Sequence, residues 1–152
     1  MQILQSDPSH PAQVWLLRML ELSGSEASVA VIASYLNSTD HELRDCARRA
    51  LVANPASEAT TALYKAMLRS SDADKRAYID GFVFRGDGRA AKAIVPLLKS
   101  NDAGTVVQAA NALVLLDESS VYAELKVAHT NAPEGSRAAI ELAMLATGAN
   151  AN

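Results

Sequence analysis

Hydrophobic residues along the chain return with a helical period, and the helices themselves return with a longer one. Counting from Asp40, apolar side chains stand 3, 7, 10 and 11 residues on, at Leu43, Ala47, Ala50 and Leu51. The last three of those offsets give Ile79, Phe82 and Val83 after Asp72, Ala109, Ala112 and Leu113 after Asp102, and Ile140, Ala143 and Met144 after Pro133. Such offsets share one face of an α-helix, so each segment predicts a helix with a single buried stripe. The four starting points lie 32, 30 and 31 residues apart. An Asp ahead of a helix accepts from free backbone N–H groups and complements the positive end of the dipole, which makes Asp40, Asp72 and Asp102 predicted caps.

A second helix precedes each cap. Leu36, Leu68 and Leu98 stand four residues before the three Asp positions, and Ile32, Tyr64 and Ile94 stand eight before. The repeating unit is therefore a helix pair, parted from the next by turn-forming breaks at Asn54-Pro55, Arg85-Gly86-Asp87-Gly88 and Leu116-Asp117-Glu118-Ser119-Ser120. In the last pair the segment Thr130 to Gly135 leaves the register of residues 119 to 129 open. Asp7-Pro8-Ser9-His10-Pro11 predicts one further helix over about 9–22, the half unit at the front. The expected organisation is one domain over 1–148, with pairs at 25–54, 56–86, 88–117 and 119–148 and a tail at 149–152; Thr147 to Asn152 has the composition of a linker or frayed end.

A pair of about 30 residues cannot bury its apolar face alone, so neighbours must stack, and a small rotation per unit curves the stack. The expected fold is all-α, a right-handed α-solenoid of about four antiparallel helix pairs plus an N-terminal helix. The frame Asp-x-x-(Leu/Val)-Arg-x-x-Ala-x-x-Ala-Leu, nearly whole in Asp40 to Leu51, and the first-helix segment Ala93-Ile94-Val95-Pro96-Leu97-Leu98 resemble HEAT repeats. The likeness is to the short, Ala-rich bacterial kind also found in phycobilin lyase subunits, and it covers roughly residues 23 to 148. Lys75 and Thr105 depart from it at the third offset, Val106 replaces the Arg, and Pro133 replaces the Asp. The resemblance implies that second helices line the concave face, that Arg44 and Arg76 tie neighbouring units, and that Pro96 is tolerated by a bend. The 34-residue tetratricopeptide pattern and the longer armadillo unit do not fit.

Composition narrows the function classes. The 152 residues are 49% hydrophobic with a single Cys, which excludes a disordered tail and a disulfide scaffold. No stretch is apolar for long enough to span a membrane, and the first residues lack a basic and then apolar leader, so a cytoplasmic, soluble chain is the default expectation. His10, His41, His129 and Cys46 show no metal-ligand spacing, no nucleophile elbow occurs, and Gly86-Asp87-Gly88 is a helix stop rather than a phosphate loop. Neither a cofactor nor an enzymatic activity is therefore expected. His41 reads as an ordinary first-turn residue, and Cys46 as a small, partly buried side chain.

Charge is uneven. Residues 44 to 99 hold eleven of the fourteen Lys and Arg and six of the seventeen acids, a balance of +5, whereas each flank carries −4. Arg48, Arg49 and Arg85 form a candidate phosphate-binding set, since some HEAT-like proteins hold DNA on this surface. Interleaved acids and scarce aromatic residues count against it. On the outward offsets of the second helices stand Glu42, Asp45 and Arg49, then Asp74 and Arg85, then Val107, Asn111 and Leu115, and finally Leu142. Polarity falls along this series, and the apolar stripe of Val107, Leu115 and Leu142 at its end suggests either a binding groove or an end that other elements cover. The function expected is a non-catalytic protein-interaction scaffold, its partner another protein or another domain of a longer chain. The alternatives are a lyase-accessory subunit resembling the phycobilin lyases and a nucleic-acid phosphate-backbone binder.

Overall fold

The structure, a computed structural model, describes residues 9–116 and 122–149, and every regular element among them is helical. In chain order these are α1 (His10–Ser23), α2 (Glu26–Ser34) with a 3-10 turn at Tyr35–Asn37, α3 (His41–Ala53), α4 (Ser57–Met67) and α5 (Asp72–Arg85). Then come α6 (Ala91–Ile94) between 3-10 turns at Gly88–Ala90 and Val95–Lys99, α7 (Ala103–Leu115), α8 (Tyr122–Asn131) and α9 (Glu134–Ala149). The chain forms two compact units, Met1–Arg69 and Ser70–Asn152.

In the first unit α1 packs on α3 and α2 on α4, while α2 and α3, and α3 and α4, also touch. In the second unit α7 packs between α5 and α9, and the Val95–Lys99 turn packs on both α7 and α8. Helices of the same rank in consecutive pairs thus lie side by side within each unit. The helical period accounts for this packing: Ala47, Ile79, Ala109 and Ile140, all at the seventh offset, are completely buried. Ala50, Phe82, Ala112 and Ala143 are buried at the tenth.

Several local expectations are corrected. Asp40 and Asp102 cap α3 and α7, accepting from the Leu43 and Thr105 backbone N–H groups. Asp72 does not cap: Ser71 does so for α5, and the Asp72 carboxylate takes the Lys75 ammonium at 2.7 Å. Leu68, expected in a buried stripe, lies just beyond α4 and is exposed, because Met67 takes the interior place. Pro96 does more than bend its helix. It has no N–H to offer the ladder, and the chain from Val95 to Lys99 tightens to 3-10 geometry. Cys46 is fully buried rather than partly so. At the C-terminal end α9 continues to Ala149, past Thr147. Asp7, Pro8, the break at Asp117 to Ser120 and the tail at 150–152 lie outside the described residues.

Where Thr105 stands at the third offset, its buried hydroxyl donates to Asp102 Oδ2 at 2.7 Å. Ser136, buried in the corresponding place on α9, donates to the Pro133 carbonyl oxygen at 3.0 Å. Polar residues are accommodated in that column because each hydroxyl bonds to its own helix start. The hydroxyl and backbone N–H of Thr105 hold the Asp102 carboxyl below its ordinary value of 3.8. A depressed carboxyl contributes stability above its unfolded value, and that stability is lost as pH falls through the folded value. The thermal midpoint should therefore fall on acidification below about pH 4, and Asp102→Asn should reduce the fall when melting is followed by circular dichroism.

Candidate protein-binding surface

The residues named by the sequence divide between the two units. In the first unit, α3 carries Glu42, Asp45, Arg48 and Arg49, and α1 supplies counter-charges. Arg18 of α1 meets Glu42 at 3.2 Å, and Arg49 lies 3.8 Å from Glu21 of α1 and 3.5 Å from Asp45. Arg48 donates to Asp45 as well. Asp45 is thus the shared partner of both arginines, and a phosphate approaching them would have to displace it. Burial pulls the Arg49 guanidinium down, but Asp45, Cys46 and Glu21 together hold it above its ordinary value. Arg44 donates to the carbonyl oxygens of Ser38 and Thr39 at 2.8 and 3.0 Å, which closes the turn of its own helix pair.

In the second unit Arg85 ends α5 half-buried; burial pushes its guanidinium below the ordinary value against the attraction of Asp87. Asp87 is clasped by Arg89 through two bonds of 2.8 and 2.7 Å. Asp74 is exposed in the first turn of α5. Arg76 reaches from α5 to the start of α7, where its guanidinium would lie 2.9 Å from a Cβ at Gly104. Arg85 and the Arg48–Arg49 pair belong to different units.

Between α5 and α7 lies an open groove of about 440 Å³, lined by Val83, Phe84, Asp80, Gln108, Asn111 and Leu115 among others. Phe84 and Leu115 are 79% and 69% exposed at this groove. Gln108 donates to Asp80 and, at 3.2 Å, to the Arg76 carbonyl oxygen, giving the groove a fixed polar edge. Leu142 and Leu145 are exposed on α9, the helix that packs on α7 from the other side. No protein-family model matches the chain, and no curated protein matches it.

Asn111 and Leu115 therefore line one groove, and Leu142 stands on the adjoining helix. Val107 is half-buried. The sequence reasoning missed Phe84, Asp80, Gln108 and Leu145. The signal for Phe84 was present: it stands two residues after Phe82, about 200° further round the helix, so a buried Phe82 turns Phe84 to the opposite side. Among the described residues no three His, Cys, Asp or Glu side chains converge as a metal site, and no helix is long and apolar enough to cross a membrane.

Proposed function

We propose that the chain is a non-catalytic, HEAT-like solenoid module whose second-helix face holds a partner, either another protein or another domain of a longer chain. Three features support this reading: the repeat period of 30 to 32 residues, the side-by-side packing of like helices within each unit, and the groove between α5 and α7. The groove carries the argument. An apolar centre of Phe84 and Leu115 with an edge of Asp80, Gln108 and Asn111 has the anatomy of an interface core and its rim. Burying the two apolar side chains is worth about 1.5–3 kcal/mol each, and helices that are already formed need little ordering on binding. The partner this groove fits is an amphipathic helix whose apolar residues cover Phe84 and Leu115, with a base placed towards Asp80.

The test is affinity capture from extract of the source cells with wild-type chain and a Phe84→Asp, Leu115→Asp variant side by side, read by mass spectrometry. The expected result is a protein retained by wild type and lost by a variant whose helical content and melting midpoint are unchanged. Equal retention by both baits, or retention by neither, would overturn the reading.

A further inference from the structure

Most acids of the second helices are occupied within the chain. Glu42 meets Arg18, Asp45 takes Arg48 and Arg49, Glu21 lies beside Arg49, Asp72 takes Lys75, and Glu141 bonds to His129. Asp74 belongs to the Ser71 cap of α5, and Glu134 stands in the first turn of α9, where a helix favours an acid. Asp80 is different. It lies in the interior of α5, it is exposed, and no Lys, Arg or His among the described residues forms an ion pair with it. Its one polar partner is neutral: the Gln108 amide of α7 donates to Asp80 Oδ1 and, from the same nitrogen, to the Arg76 carbonyl oxygen. Gln108 thus holds the carboxylate in place without neutralising it. Phe84 follows one helical turn later, so the two side chains are neighbours on α5, and both border the groove.

On the reading that this groove is the binding surface, we propose that Asp80 and Phe84 together select an arginine of the partner helix. Desolvation decides the sign of the charge. A helix that covers Phe84 and Leu115 also takes water from Asp80, and a carboxylate buried without a cation is costly. The chain brings no base to it, so the partner supplies one. The neighbouring ring decides which base. A guanidinium is planar: its edge gives N–H bonds to a carboxylate while its face lies on an aromatic ring, whereas a lysine ammonium is a point charge without a flat face. Because Gln108 already fixes the carboxylate, little ordering is lost when the pair forms.

The test is selection from a displayed library of helical peptides on the full wild-type chain, with removal of peptides that also bind a Phe84→Asp, Leu115→Asp variant. The surviving peptides should share an arginine beside their apolar residues. Against Asp80→Asn, whose circular dichroism should match wild type, such a peptide should bind about tenfold more weakly. Replacing its arginine by lysine should also weaken binding to wild type, and should matter less on Phe84→Leu, where the ring is gone. Surviving peptides that lack a base, that bind Asp80→Asn as well as wild type, or that accept lysine as readily as arginine would overturn this assignment and leave the groove standing as a binding site. If no peptide separates wild type from the Phe84→Asp, Leu115→Asp variant, the groove reading falls and the arginine site with it.

Discussion

Replacing Asn54 by Leu should cost the first unit about 3 kcal/mol of stability, far more than a change of one turn residue ordinarily does. Asn54 ends α3, and only 1% of it is exposed. Its amide nitrogen donates to the Ser25 carbonyl oxygen at 3.0 Å and to Ser28 Oγ at 3.2 Å, both at the start of α2. Its side-chain oxygen accepts from the Ala56 backbone N–H at 3.0 Å, just ahead of α4. One buried amide thereby joins the end of one helix to the starts of two others. Leucine offers neither a donor nor an acceptor, and the surroundings have no slack: a Cβ at Gly24 would lie 2.9 Å from Asn54 Nδ2. Urea unfolding followed by circular dichroism gives the total loss, and Trp15 emission follows the first unit. Ser28→Ala should cost about 1 kcal/mol, and the double variant less than the sum, because the two side chains share a hydrogen bond. A loss under about 0.5 kcal/mol for Asn54→Leu would mean that the amide is dispensable.

That network also marks a boundary of what could be read from the sequence. The break at Asn54-Pro55 was legible because Asn and Pro are turn formers. The contacts of Asn54 were not, since they reach back 26 and 29 residues to Ser28 and Ser25, and no local pattern encodes them. The helices themselves were legible: caps at Asp40 and Asp102 and the seventh- and tenth-offset columns follow from helix geometry alone. Asp72 was misread because two adjacent polar residues, Ser71 and Asp72, can each begin a helix, and the choice depends on where Lys75 and Ser100 sit.

The candidate surface was partly legible for a similar reason. Outward offsets identify side chains that leave the core, so Asn111, Leu115 and Leu142 could be named. Which of them share a groove depends on which helices are neighbours, and that required the packing of α5, α7 and α9. The charged set of Arg48, Arg49 and Arg85 reads as basic in one dimension. In three dimensions Asp45, Glu21 and Asp87 stand beside those arginines.

Phe82 and Phe84 separate stability from binding within a single helical turn. Phe82 is completely buried in α5, whereas Phe84 is 79% exposed at the groove. Phe82→Ala should lower the stability of the second unit by about 3–5 kcal/mol, the sum of lost apolar transfer and the cavity left behind. Phe84→Ala removes a side chain that the isolated chain scarcely buries, so its unfolding free energy should stay within about 0.5 kcal/mol of wild type. Under the proposed function the ranking reverses for binding. A partner captured by wild type should be lost with Phe84→Ala, because an aromatic anchor at the centre of an interface is commonly worth about 2 kcal/mol or more. Denaturation and affinity capture on the same two variants therefore give opposite orders if the groove is a binding site. If Phe84→Ala instead destabilises the chain as Phe82→Ala does, Phe84 belongs to the core and the groove loses its anchor. If it alters neither stability nor capture, the groove is not the binding site and the proposed reading falls.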